Sequence, residues 1–97
     1  FLIDLDSNRV TRYGHTVKVT RQQAEILFTL NAAMPKVVST DKLAIAVYGA
    51  HEGPIDAGNV IKTQICLMRK TVAKLGVAIR PEWGMGYYLQ LSEELQP

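Results

Sequence analysis

Five apolar residues decide most of what this chain can become. Ile61, Ile65, Met68, Val72 and Leu75 step by four, three, four and three positions, a rhythm that keeps one stripe on one face of an α-helix. At about 100° per residue, the opposite direction collects Asn59, Thr63, Cys66, Lys70 and Lys74, flanked by Lys62 and Arg69. The spacing predicts a helix over residues 59–75, anchored by an oily side and leaving outward a side that is small, polar and cationic. Gly76 then ends it at the C′ position.

Charge sharpens this picture. Residues 1–56 hold six basic and six acidic side chains, which cancel. Residues 57–81 hold Lys62, Arg69, Lys70, Lys74 and Arg80 with no acid among them, and residues 82–97 add Glu82, Glu93 and Glu94. The excess positive charge is thus confined to one segment, the footprint expected of a surface that meets a polyanion. A solvated lysine face would give the same charge count, so charge alone leaves both readings open.

The other elements are short. "FLIDLD", "NRVTRYG" and "HTVKVT" are pieces rich in β-branched residues, parted by Ser-Asn and Gly-His, and predict a small antiparallel meander. "TRQQ" has the form of a capping box at Thr20 and Gln23. The helix it opens, over residues 21–33, is expected to bury Ala24, Leu27, Phe28 and Leu30 and to stop before Pro35. A second helix starts at Ser39 or Thr40, with Asp41 in its first turn where a negative charge suits the helix dipole. It is expected to turn Leu43, Ala46 and Val47 inward and to end near Gly49. A polar loop, "AHEGPIDAG", separates it from the third helix.

After Gly76, "VAI" runs up to Pro81 and "GYYLQL" runs back, so "IRPEWGMGYYL" is the tip of a hairpin whose bend needs Gly84 and Gly86. A phosphate-cradling loop is excluded because no helix follows the glycines. Asp4 and Asp6 alternate along a strand with no third ligand in view, and His15 and His51 lie in loop-like settings. Neither a metal nor a cofactor is expected, and no nucleophile–base pair suggests an enzyme. Ninety-seven residues with 47% hydrophobic content fit one domain, residues 1–97, with a single core. No apolar run reaches the roughly 20 residues of a membrane span. The lone Cys66 has no internal disulfide partner, which fits a reducing cytoplasm. The chain begins at Phe1 rather than Met, which fits a piece of something longer.

A sheet, three helices of which the last two form a helix-turn-helix, and a terminal hairpin make an α+β winged helix. Four stretches in this order also resemble a family, the effector domains of OmpR/PhoB-type response regulators. "VTRQQAEILFTL" is similar to the family's Leu-Thr-x-x-Glu-x-x-Leu-Leu-x-x-Leu, followed by "VVSTDKLAIAVYG", "NVIKTQICLMRKTV" and "WGMGYYL". Tyr48-Gly49, Ile65-Cys66, Arg69-Lys70 and Trp83-Gly84 look closest to the CtrA-like cell-cycle regulators of α-proteobacteria.

The resemblance implies a cytoplasmic, bacterial, sequence-specific binder of double-stranded DNA that regulates transcription within a two-component system. Its third helix would enter the major groove and its wing the adjacent minor groove. On the family's register Asn59, Lys62, Thr63, Cys66 and Leu67 face the groove, with Lys62 donating to a guanine edge and the Thr63 methyl meeting a thymine methyl. Gln64, Arg69, Lys70 and Tyr48 would hold phosphates, Tyr48 standing at the family's tryptophan position. Leu67 and Cys66 also have plainer readings as partial core and small filler, and Lys74 reads as solvated. Trp83 replaces an arginine that many members send into the minor groove; it either lies against sugar and phosphate or tucks under the wing as core, and Arg80 is the nearest cation to take the missing role. Tyr87 matches the family's core tyrosine.

Pro81 and Glu82 replace threonine and valine, and Lys62 stands where many members carry an acid, so the DNA sequence read departs from the commonest one. The 49–58 loop, with His51, Glu52 and Asp56, would touch RNA polymerase as it can in relatives or would simply be solvated, and tandem or dimeric binding fits the family. The acidic pocket and lysine of a receiver domain are absent from these residues, so any phospho-control comes from a preceding region or does not exist, and an excised effector domain and a standalone regulator both stay open. The competing class is a winged helix reused as a protein-interaction module without DNA binding.

Overall fold

The computed structural model describes residues 1–50 and 53–93. Three short strands, β1 (Leu2–Asp4), β2 (Arg9–Arg12) and β3 (His15–Lys18), form an antiparallel sheet in the order β1-β2-β3. Ile3 faces Val10, which faces Val17 on its other side. The β1–β2 turn is stitched by Asp4, whose Oδ1 accepts from the backbone N–H groups of Asp6 (2.9 Å) and Ser7 (3.3 Å). Hydrogen bonding from Ser7, first through its side chain and then its backbone, holds the Asp4 carboxyl below its usual range, with Asp6 adding to it. These bonds serve the charged carboxylate and put Asp6 in the β1–β2 turn rather than on the strand.

Helix α1 (Arg21–Ala33) opens on the predicted capping box. The Gln23 N–H donates to Thr20 Oγ1 at 3.2 Å and the Thr20 N–H to Gln23 Oε1 at 3.1 Å. Ala24, Leu27 and Leu30 are fully buried as expected, joined by Ile26; Phe28 is half exposed instead. The core-facing arc centres on Gln23, Ile26, Leu27 and Leu30, and Phe28 falls beyond its edge.

Helix α2 (Thr40–Tyr48) is capped by Ser39, whose side chain accepts from the Lys42 N–H at 3.1 Å, and it ends on Gly49 with φ 87°. Leu43 is its one fully buried residue. Ala46 is exposed, and Ala44 packs against the core in its place beside Val47. One deep anchor leaves the rotation of so short a helix to its neighbours.

Helix α3 (Ala57–Ala73) begins two residues before the predicted Asn59. Gly58 sits in its first turn, and Asp56 occupies the cap position without a side-chain cap bond. Ile61, Ile65, Met68, Val72 and Leu75 are all buried. The last turn tightens, with Leu75 N–H to Val72 O and Gly76 N–H to Ala73 O both at 2.9 Å. Gly76 takes its left-handed φ of 70° two residues past the Lys74 cap, rather than immediately after it. No helix among the described residues is long and apolar enough to cross a membrane.

The terminal hairpin pairs β4 (Val77–Glu82) with β5 (Gly86–Leu91), Val77 opposite Leu91 through Glu82 opposite Gly86. Its root is core, because Val77, Ile79, Tyr87 and Leu89 are buried. From Arg80 to Met85 the chain is exposed, so the outer half projects as the wing. Val38, just ahead of the α2 cap, exchanges both backbone bonds with Tyr87 (2.7 and 3.0 Å). At Gly86, with φ 143°, an added Cβ would lie 2.0 Å from the Val38 carbonyl oxygen and 2.8 Å from Ser39 Cα. Only glycine permits that approach.

A second tie spans the molecule. The Arg12 side chain is buried; its Nη1 donates to the carbonyls of Leu75 (2.9 Å) and Gly76 (3.0 Å), and its Nη2 to that of Ser92. The guanidinium also lies 4.5 Å from the centre of the Tyr13 ring. Carbonyls at the end of a helix lack partners within it, and a cation there also complements the helix dipole.

Candidate nucleic-acid interface

The site follows from how α3 is held. Four of its side chains, Ile61, Ile65, Met68 and Val72, are at most 1% exposed, which fixes the rotation of the helix about its axis. That rotation leaves Asn59, Lys62, Thr63, Cys66, Leu67, Arg69, Lys70 and Lys74 all exposed on the other side. Cys66 is a free, exposed thiol and Leu67 is 63% exposed, so neither fills core. Among the described residues no carboxylate lies within ion-pair range of Lys62, Arg69, Lys70 or Lys74. None of these four cations is therefore tied up in an ion pair with a described residue, although Asp41 and Glu82 line the cleft beside Lys62.

Two of the polar residues are oriented from below. Thr63 Oγ1 donates to the Asn59 carbonyl at 2.9 Å, which commits its proton to the helix and leaves its methyl and lone pairs for a partner. Gln64 is half-buried and accepts at Oε1 from Gln23 Nε2 at 3.1 Å. The capping glutamine of α1 thus also aims a residue of α3. Beside it, Gln22 Nε2 donates to the Tyr48 hydroxyl at 3.3 Å, and the Tyr48 ring lies against Gly53. Gln22 and Gln23 carry no such signal in the sequence, because their partners lie 26 and 41 residues away.

Lys62 also lines a cleft with Ser39, Thr40 and Asp41 at the start of α2 and with Trp83, Met85 and Gly86 of the wing. Trp83 is 96% exposed and does not tuck under the hairpin, whereas Tyr87 is core. Arg80 stands apart from this cleft: its Nε donates to Gln90 Oε1 at 3.0 Å, and it lines the groove at the other end of α3 with Ala73 and Val77. Asp56 precedes α3, while His51 and Glu52 lie outside the described residues. No cluster of three or more His, Cys, Asp or Glu able to hold a metal occurs among the described residues.

The fold is shared with solved structures. A structure from a family of redox sensors of the streptococci, evolved from two-component response regulators, superposes with a TM-score of 0.73 at 24% identity. The match covers 93% of this chain but 39% of that one, so the present chain spans well under half of its length. The DNA-binding domain of E. coli CadC superposes with a TM-score of 0.68 at 19% identity, covering 91% of this chain and 83% of that one. At these identities the likeness is one of fold. No match was found among curated protein sequences. The model of one family, "Transcriptional regulatory protein, C terminal", matches residues 14–89, from the β2–β3 turn through the wing. The chain accordingly belongs to that family of winged-helix DNA-binding effector domains of transcription regulators, which is not an enzyme family.

Proposed function

We propose that residues 1–97 act as one unit that reads a specific duplex sequence, with α3 in the major groove and the wing over the neighbouring minor groove. The observation that carries this reading is the contrast across α3: one side fully buried, the other exposed with cations that no described carboxylate pairs. Lys62, Thr63, Cys66 and Asn59 face the base edges, where short donors, acceptors and a methyl group discriminate. Arg69, Lys70, Gln64 and Tyr48 hold phosphates, and Arg80 and Trp83 serve the wing. The duplex is met in the cytoplasm, by copies bound in tandem or as a dimer. The exposed Ile45 and Ile55, on either side of the loop's start, favour the 49–58 segment as the contact for RNA polymerase.

Selection from a random duplex pool supplies the target, and substitutions then test the orientation. Arg69→Ala weakens all duplexes alike and lowers the salt slope by about 1. Lys62→Ala or Thr63→Ala changes which sequence is preferred, by about 1–3 kcal/mol of discrimination at one position. An Arg69→Ala variant with altered preference, beside a Thr63→Ala variant without one, would show that α3 meets the groove with a different face.

The second reading, a protein-docking module, draws on the exposed Trp83 and Met85. Duplex affinity through several cations falls steeply with salt, whereas an apolar interface is far less sensitive.

A further inference from the structure

We infer that the wing meets the duplex through an apolar wedge: Trp83, supported by Met85, packs against sugars and bases of the minor groove instead of gripping phosphate. This rests on the DNA-binding reading above and adds the chemistry of the wing contact.

The geometry of the tip comes first. The Met85 N–H donates to the Glu82 carbonyl at 2.9 Å, closing a turn with Gly84 at φ 74°. Trp83 stands at the corner of that turn, the largest exposed apolar side chain of the projecting half. The turn is carried on a root fixed by the Val38–Tyr87 exchange and by the Gly86 contact with Val38. A bulky ring on a formed turn loses little conformational freedom when it is covered.

Charge decides what covers it. Trp83 and Met85 share their cleft with Lys62 of the cationic face, so the wing tip and α3 look onto one partner. The same cleft is lined by Asp41 and Glu82, which repel phosphate, while Arg80 is bonded to Gln90 and lines a neighbouring groove with Arg69. The tip therefore offers no cation for the backbone. Its ring and thioether suit the apolar walls of the minor groove, where side chains of this kind wedge between base steps and open them. Such a contact favours pyrimidine–purine steps, which unstack easily, over stiff A-tracts.

Trp83 is the chain's only tryptophan, so its own fluorescence reports the contact. The selected duplex is titrated at low salt while labelled-duplex anisotropy and tryptophan emission are followed together. Expected is quenching of the emission and protection from acrylamide, in step with the anisotropy. Trp83→Ala, at a position exposed enough not to endanger folding, should lose about tenfold in affinity on a duplex with a TA step under the wing. On an A-tract it should lose much less, and the salt slope should stay unchanged. Trp83→Arg should recover affinity with a steeper salt slope. Binding by anisotropy with Trp83 still bright and open to acrylamide would overturn the wedge and leave DNA binding standing. Equal losses on both duplexes would overturn it too. Failure of every duplex to bind at low salt would remove the DNA-binding reading itself, and the wedge with it.

Discussion

The two β structures of this chain are secured on opposite terms. The terminal hairpin is woven into the core through Val77, Ile79, Tyr87 and Leu89, alternating as a strand pair with one dry face should. The N-terminal sheet contributes only Val10 and Arg12 as buried strand residues. Ile3 and Val17 pack only partly against the core, and the sheet is fastened besides by a charged group, the Arg12 guanidinium, reaching the carbonyls of Leu75, Gly76 and Ser92. Burial spreads an attachment over many atoms. A guanidinium concentrates it in one residue.

Three experiments press on this contrast. The largest effect is expected where the hairpin has no slack. Gly86→Ala combines an unfavourable φ with a Cβ 2.0 Å from a backbone oxygen, and should cost about 3 kcal/mol or more. Chemical denaturation checks it, and a variant as stable as the parent would mean that the wing root yields easily.

Next comes the polar fastening. Arg12→Met keeps much of the bulk but leaves the carbonyls of Leu75, Gly76 and Ser92 without their charged donor, for a loss of about 2–3 kcal/mol. Arg12→Lys should recover only part of it, since an ammonium lacks the guanidinium's planar fork of donors. Equal stability of the lysine variant and the parent would reduce the attachment to charge alone.

The smallest effect lies at the exposed β1–β2 turn. The Asp4 carboxyl titrates below its ordinary value of 3.8 because it accepts hydrogen bonds in the folded state. Its contribution is therefore complete above that value and is lost as pH falls through the lower folded pKa. Asp4→Asn should lower the melting temperature slightly at neutral pH, by a difference that disappears as pH falls through the lower folded pKa, so that the acid limb of the profile flattens. An NMR titration that places Asp4 at or above 3.8 would remove the basis for that difference.

Much of the molecule is legible in its sequence, for reasons that are local. The α3 stripe, the Thr20–Gln23 capping box, the meander and the glycine-bent hairpin are each set by neighbours within a few residues. Where neighbours do not decide, sequence and structure part. Phe28 is large and apolar and so is expected inside, yet the arc of α1 that faces the core passes it by. Ala44 takes the inward place expected of Ala46 on a helix with one deep anchor. Gly58 reads as loop but lies within α3, because a poor helix former is tolerated in a first turn whose N–H groups lack helical partners anyway. The exposed cations of α3 follow once the stripe is seen. What aims the polar residues around them does not, since Gln23 meets Gln64 and Gln22 meets Tyr48 only after the helices pack. Arg12 carries no local signature at all; its acceptors lie 63 to 80 residues further on.

The Val38–Tyr87 exchange has one more implication. It couples the segment entering α2 to the hairpin, so the start of the helix pair and the wing keep one separation, like a caliper with its jaws set. On the docking proposed above, the spacing between the two footholds on a duplex then becomes part of what is recognised.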